Sequence, residues 1–229
     1  MNSKLLLFDI DGTLLSAHGV PKIAMATVLE RRYQCFEYDT NYDFSGRTDP
    51  QIVEHLLQFD NREYSEDLTN EILGEFCIEL HKEIVNDKKP VIHPGVCNLV
   101  EKLSITENVY LGLVTGNVSE GARIKLEAVD LQTYFPIGGF GDDSKDRNEL
   151  PPIAKLRAEK YFSTKFHSND IWIIGDSIYD VECAQKNGLR CLAVATGKTS
   201  TDKLIEANPE FIEEDLSELD KIQNILIHS

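Results

Sequence analysis

Residues 5–13 read Leu-Leu-Leu-Phe-Asp-Ile-Asp-Gly-Thr, and this stretch decides the class of fold. The unbroken apolar run Leu5–Phe8 predicts a strand buried on both faces, because a strand with one wet face would alternate. Two carboxylates, Asp9 and Asp11, leave the end of this strand on the same side. Gly12 then allows the backbone to turn sharply. We therefore expect a strand end that presents paired acids to a ligand.

Three further apolar runs have the same character, at Val109–Val114, Ile171–Ile174 and Cys191–Val194. Helical patterns alternate with these strands, at Ser119–Val129, Ile153–Tyr161 and Ile178–Asn187, the last closed by Gly188. Strands that alternate with helices predict a Rossmann-like α/β fold, a parallel sheet with helices on both faces. We also expect a short strand at Phe211-Ile212 and a closing helix at Leu216–Ile227.

Residues 16–87 differ from the rest because they show helical periodicity and no convincing strand. Pro21 precedes a helix candidate at Ile23–Arg32, and Thr48 can cap a second at Gln51–Phe59. Ser65 can cap a third, whose apolar residues recur every four positions. The sequence thus predicts an α/β core of residues 1–15 and 88–229, with residues 16–87 inserted as an all-helical cap domain.

The composition excludes several classes of protein. The 229 residues carry 23 Lys+Arg against 39 Asp+Glu, a formal charge of −16. Such a chain repels phosphate backbones and anionic lipid, so we expect no nucleic-acid or membrane partner. The five cysteines are an odd number without a CxxC pair, which argues against a disulfide framework and a structural zinc site. We expect a cytoplasmic protein with no signal peptide.

The second strand ends in Thr115-Gly116-Asn117, directly before a predicted helix. A hydroxyl beside the amides of a helix N-terminus can bind an anion. The same turn would also serve as a plain helix start, with Asn117 or Ser119 as the cap.

The third strand ends in a second pair of acids, Asp176 and Asp180. Because parallel strands end at one edge of a sheet, these acids should lie beside Asp9 and form an all-oxygen site suited to Mg²⁺. The alternative is that Asp176 or Ser177 only caps the following helix, with Asp180 complementing its dipole.

The three strand ends, taken in order, resemble the haloacid dehalogenase-like hydrolase superfamily over nearly the whole chain. The similarity is to the branch with a helical cap after the first loop, and within it to phosphoglycolate-phosphatase-type members. The resemblance implies that Asp9 is a nucleophile that forms an aspartyl-phosphate and that Asp11 is the general acid and base. An acid at position 11 also excludes a dehalogenase, because a halide leaves without a proton.

The resemblance further implies ligands for a metal and for phosphate. Mg²⁺ would be held by Asp9, the Asp11 carbonyl and Asp176, while Asp180 would hold a metal-bound water or a neighbouring ligand. Thr115 would bind the phosphoryl oxygens in the transition state. The other phosphate-binding residues would be Gly12, Thr13, Gly116 and Asn117.

The chain departs from the family pattern at the lysine that usually bridges the nucleophile and the phosphoryl group. Arg147 fits this position best, since it shortly precedes the helix start at Pro151-Pro152, and arginine keeps the charge. Lys145 and Lys155 are rivals, and a surface charge is the structural alternative for Arg147.

Residues of the cap should select the substrate, because the sheet edge treats all phosphomonoesters alike. Arg47 is the best candidate, a cation after a glycine that could hold an anionic group of the substrate. Its alternative is a solvated arginine. His18 is a weaker candidate, and the linker 16–20 could act as a hinge for the cap.

We therefore predict a Mg²⁺-dependent phosphatase that hydrolyses a small phosphorylated metabolite, either phosphoglycolate-like or a sugar phosphate. The alternatives are a phosphosugar mutase similar to β-phosphoglucomutase and a non-catalytic binding protein of the same fold. Dephosphorylation of nucleic-acid ends fits the chemistry but conflicts with the charge of −16.

Overall fold

The computed structural model describes residues 2–86 and 89–228. The strands are, in chain order, β1 Lys4–Phe8, β2 Leu15–Ser16, β3 Val91–Ile92, β4 Val109–Val114, β5 Gly138–Gly139, β6 Ile171–Gly175, β7 Arg190–Val194 and β8 Phe211–Glu213. The helices are α1 Val20–Tyr33, α2 Asp49–Phe59, α3 Glu66–Val85, α4 Val96–Ser104, α5 Ser119–Glu127, α6 Leu150–Phe162, α7 Ile178–Lys186, α8 Thr201–Ala207 and α9 Leu219–Gln223.

A six-stranded parallel sheet forms the centre of the molecule, with strand order β5-β4-β1-β6-β7-β8. Alternate residues of β1 pack on opposite faces: Leu6 and Phe8 contact a cluster that includes α4 and α9, and Leu5 and Leu7 contact α6. All four are fully buried, which explains why this strand is apolar without alternation. The predicted fold class is confirmed.

Helices α1, α2 and α3 form a separate hydrophobic cluster around side chains such as Phe76, which is 1% exposed. The Thr48 and Ser65 side chains accept hydrogen bonds from the first turns of α2 and α3. The predicted end of the cap at residue 87 lies outside the described residues, as does residue 88, so the domain boundaries stay a prediction.

Several elements differ from the sequence prediction. Helices α4 and α8 and the two-residue strands β2, β3 and β5 were not predicted, and β2 includes Ser16, which the prediction placed in the all-helical segment. The closing helix begins at Leu219 instead of Leu216. Helix α4 has no side-chain cap, since it starts after Gly95 in the left-handed conformation (φ 81°), so the usual start signal is missing. Within the described parts of the chain, no helix is long and apolar enough to cross a bilayer.

Helix α2 is fastened to the sheet edge through Asp49. Its backbone N–H donates to the Gly116 carbonyl (2.7 Å), and its Oδ2 accepts from the Val118 amide (2.8 Å). Two carboxylates accept from N–H groups at the start of α5, Asp49 from Val118 and Asp142 from Ser119 (3.0 Å). Neither Asn117 nor Ser119 supplies the cap that the plain helix-start prediction required. Burial raises the pKa of Asp49 to about 6, although Lys125 opposes the shift.

We expect Asp49→Asn to gain stability relative to the wild type as the pH rises. A buried carboxyl whose pKa is about 6, above its ordinary 3.8, contributes stability while protonated, and that contribution is lost as the pH rises through 6. Asparagine does not titrate and can still accept from Val118. The difference in free energy of unfolding should grow by about 1 kcal/mol between pH 5 and pH 8. Urea denaturation of both proteins at pH 5 and pH 8 measures this difference. If the difference between variant and wild type is the same at both pH values, the raised pKa of Asp49 is contradicted.

Candidate active site

The carboxyl ends of β1, β4 and β6 meet at one edge of the sheet, beneath the segment that leads into α2. A cavity of about 520 Å³ opens there, and it is lined by Asp9, Asp11, Thr115, Arg147 and Asp176, among others. Parallel sheets place ligands at this edge because the strands end there and the loops diverge. The structure therefore brings the predicted residues of all three strand ends to one place.

Asp9 lies at the floor of the cavity and is 5% exposed. Its Oδ2 is 3.2 Å from Nη2 of Arg147, which also forms a short ion pair with Asp180. Burial raises the pKa of Asp9 to about 6, against the opposing effect of Arg147. Burial lowers the pKa of Arg147, but Asp180 and Asp9 raise it by more, so the guanidinium stays charged between them.

Asp176 faces Asp9 from the end of β6, in a space that two glycines leave open. A Cβ added at Gly12 or Gly197 would lie 2.4 Å or 1.6 Å from Asp176 Oδ2. Thr13 donates to Asp176 Oδ1 (3.1 Å). Its hydroxyl hydrogen is therefore bound to a carboxylate and does not point to a phosphate, unlike in the predicted phosphate-binding role. Burial and the neighbouring Asp180 and Asp9 raise the pKa of Asp176 well above its ordinary value.

The residues present fit a hard divalent cation. Asp9, Asp176 and Asp180 each offer a carboxylate oxygen within 4.8 Å of the others, and such oxygens suit Mg²⁺. A cation there would offset the repulsion that raises the pKa of Asp9 and Asp176. Asp180 is already engaged at both oxygens, by Arg147 and by Ser177, its partner in a capping box at the start of α7. Asp180 thus takes part in capping α7 and also lies beside the candidate metal site.

The turn after β4 holds Thr115 and Asn117, both buried. Asn117 Nδ2 donates to Thr115 Oγ1 and to Asp11 Oδ2, each at 2.8 Å. Gly116 is pressed against the loop before α2, where an added Cβ would lie 2.0 Å from the Arg47 carbonyl oxygen. The turn therefore connects the second acid, Asp11, with both the cavity and the helical segment.

Lys125 of α5 also reaches this turn, although it was not among the predicted site residues. Its Nζ lies 2.6 Å from Asp11 Oδ2, and the side chain is 2% exposed. The available signal was a lysine in register with Val118 and Ala122 on a buried helix stripe.

The three candidates for the bridging cation occupy different places. Arg147 lies against Asp9, whereas Lys145 is exposed and pairs with Glu54 (3.1 Å). Lys155 is not among the described residues that line the cavity. The geometry therefore favours Arg147.

The predicted substrate residue Arg47 lines the same cavity as Asp9. Its guanidinium carbon lies 4.7 Å from the Tyr179 ring centre, and its buried Nε has no hydrogen-bond partner among the described residues. Lys22, Lys198 and the exposed His18 line the same cavity. In the described chain, no acid lies within 4.0 Å of the charged nitrogens of Arg47, Lys22 or Lys198.

Two curated relatives align with almost the full chain. A pyrophosphatase PpaX of Oceanobacillus iheyensis is 22% identical over 96% of this chain and 96% of its own. A phosphoglycolate phosphatase of Vibrio parahaemolyticus is 24% identical over 94% of each chain.

Among solved structures, a β-phosphoglucomutase of Clostridium difficile shares the fold with a TM-score of 0.73 at 18% identity. The alignment covers 100% of this chain and 98% of the mutase chain. The profile of the haloacid dehalogenase-like hydrolases matches residues 6–194, and this span includes all three strand ends. The chain therefore belongs to the haloacid dehalogenase-like hydrolases.

Proposed function

We propose that this hydrolase is a phosphatase that removes the phosphoryl group of a small phosphomonoester through an aspartyl-phosphate on Asp9. The observation that carries the proposal is the position of Asp9, a buried carboxylate that lies between a guanidinium and an acid cluster at the floor of a cavity. The names of the two relatives support hydrolysis of a small phosphate, since one is a phosphoglycolate phosphatase and the other a pyrophosphatase; only the first name denotes a phosphomonoester.

In the first half-reaction an oxygen of Asp9 forms a bond to phosphorus while the bond from phosphorus to the leaving oxygen breaks. The leaving alkoxide takes a proton from Asp11. Arg147, 3.2 Å from Asp9, would hold a phosphoryl oxygen and the nucleophile together. Thr115 and the amides of the following turn would bind the remaining phosphoryl oxygens.

In the second half-reaction Asp11, now ionised, takes a proton from water as the water oxygen bonds to phosphorus. The bond to Asp9 then breaks, which restores its carboxylate and frees inorganic phosphate. A Mg²⁺ ion held by Asp9, Asp176 and the Asp11 carbonyl, with Asp180 beside it, would neutralise charge between the nucleophile and the phosphate.

The charges around the cavity favour a substrate that carries a second anionic group besides the phosphate, as phosphoglycolate does, over a sugar phosphate whose sugar part is uncharged. Arg47, Lys22 and Lys198 reach the cavity from two parts of the chain, and in the described residues none of them forms an ion pair within 4.0 Å, although Asp43 lies near both lysines. Burial lowers the pKa of Lys22 and Lys198 lowers it further, while Asp43 opposes the shift, which indicates that the two ammonium groups lie near each other and near this one acid. A carboxylate of the substrate would relieve this repulsion.

A phosphosugar mutase remains the second candidate, and Asp49 is the observation in its favour. A mutase needs an acid or base on the helical segment, and Asp49 lines the cavity with a pKa that burial raises to about 6. Product analysis separates the two functions, because a phosphatase releases inorganic phosphate and a mutase releases an isomer of its substrate.

We expect Asp9→Asn to reduce phosphate release to background, because an amide cannot form the acyl-phosphate. Release from phosphoglycolate and an aryl phosphate should require Mg²⁺ and stop with a chelator. The control is Asp202→Asn, an exposed acid outside the cavity. If the folded wild type is silent on both substrates with metal, the phosphatase proposal fails. Activity that appears only in Arg147→Lys would favour a non-catalytic binding protein instead.

We expect Arg47→Met to raise KM for phosphoglycolate about tenfold, the cost of one charge-assisted hydrogen bond, while KM for an alkyl phosphate that has no second anionic group changes little. Arg62→Met is the matched control, since Arg62 also lies over a tyrosine ring, 4.8 Å from the centre of Tyr33, but outside the cavity. Steady-state kinetics on both substrates measure the difference. An equal loss on both would show that Arg47 only supports the loop.

A further inference from the structure

Lys125 is a cation that is almost fully buried, although removing an ammonium group from water costs free energy. It is 2% exposed on α5, and its Nζ lies 2.6 Å from Asp11 Oδ2 and 2.6 Å from Asn117 Oδ1. Helix α5 packs on both sides, with Ile124 in the cluster of the helical segment and Leu126 in the cluster of the sheet. A buried ammonium is retained only where acceptors compensate for lost water.

The orientation of the Asn117 amide follows from Lys125. An ammonium only donates, so it must face the amide oxygen, and this directs Nδ2 toward Asp11 and Thr115. Lys125 and Asn117 therefore both donate to the same carboxylate oxygen, Oδ2 of Asp11, at 2.6 Å and 2.8 Å.

The other oxygen of Asp11 is left for the substrate. Among the described residues no side chain or backbone group donates to Oδ1, and the Asp11 side chain, 38% exposed, lines the cavity. An oxygen that accepts two N–H bonds has no room to carry a proton as well, so a proton on Asp11 resides on Oδ1. The two oxygens therefore have separate tasks.

We infer that Lys125 is a positioning residue, which fixes the Asp11 carboxylate so that Oδ1 exchanges the proton with the leaving group and with water. The inference rests on the proposed function. The proton moves from Oδ1 to the leaving oxygen as the bond from phosphorus to that oxygen breaks, and it is regained from water in the second half-reaction.

The test compares two leaving groups in the first turnover of Lys125→Met. An alkoxide leaves slowly without a proton, whereas nitrophenolate leaves without one. Correct placement of a general acid contributes about 10²-fold or more. We expect rapid-quench release of alcohol from an alkyl phosphate to slow about 100-fold, while the burst of nitrophenolate changes less than about threefold. Lys102→Met, an exposed lysine of α4, is the matched control.

Two further variants keep the result interpretable if Lys125→Met folds poorly. Lys125→Gln keeps one donor, so its alcohol release should fall between the wild type and Lys125→Met. In an Asp11→Asn background, Lys125→Met should cost nothing further. An equal slowing on both leaving groups, or additive losses in the double variant, would overturn the inference. Silence of the wild type on both substrates would instead overturn the proposed function.

Discussion

The arrangement of this site depends on the enforced proximity of carboxylates. Asp9 follows β1, Asp176 follows β6 and Asp180 lies in the first turn of α7, and the three acids offer oxygens within 4.8 Å of one another while almost fully buried. Such a cluster is unfavourable without compensating positive charge. Arg147 supplies one such charge through its contacts with Asp9 and Asp180, and a divalent cation would supply more. The acid cluster therefore lowers the stability of the folded chain, and binding of a cation to it would restore that stability.

The helical segment contributes to the same site through backbone contacts. The loop before α2 lies so close to Gly116 that the Cβ of an alanine at position 116 would clash with the Arg47 carbonyl oxygen. Asp49 caps α5, the helix that carries Lys125, and Arg147 Nη1 lies 3.5 Å from the Gly46 carbonyl oxygen. The proposed roles of Arg47 and Lys125 are thus linked, because the loop before α2 touches the elements that hold Asp9 and Asp11.

The sequence was sufficient to place the three strand ends together, since parallel strands end at one edge whatever their loops do. It could not identify Lys125, because that contact depends on the rotation of α5 between two hydrophobic clusters. Nor could it choose firmly between Arg147 and Lys145, which are two residues apart. The short 3₁₀ turn Arg147–Glu149 decides that choice by directing Arg147 inward. The chemical roles of these residues remain predictions.

The charge of −16 and an anionic substrate are compatible because they act over different distances. Salt screens exposed charges beyond about 8 Å at physiological ionic strength, so the acids of the outer surface hardly affect a small ion inside the cavity. That ion meets Arg47, Lys22 and Lys198 instead. A nucleic acid would extend far beyond these three cations and meet the acidic surface along its length. The same charge distribution therefore admits a small phosphomonoester and disfavours a polyanion.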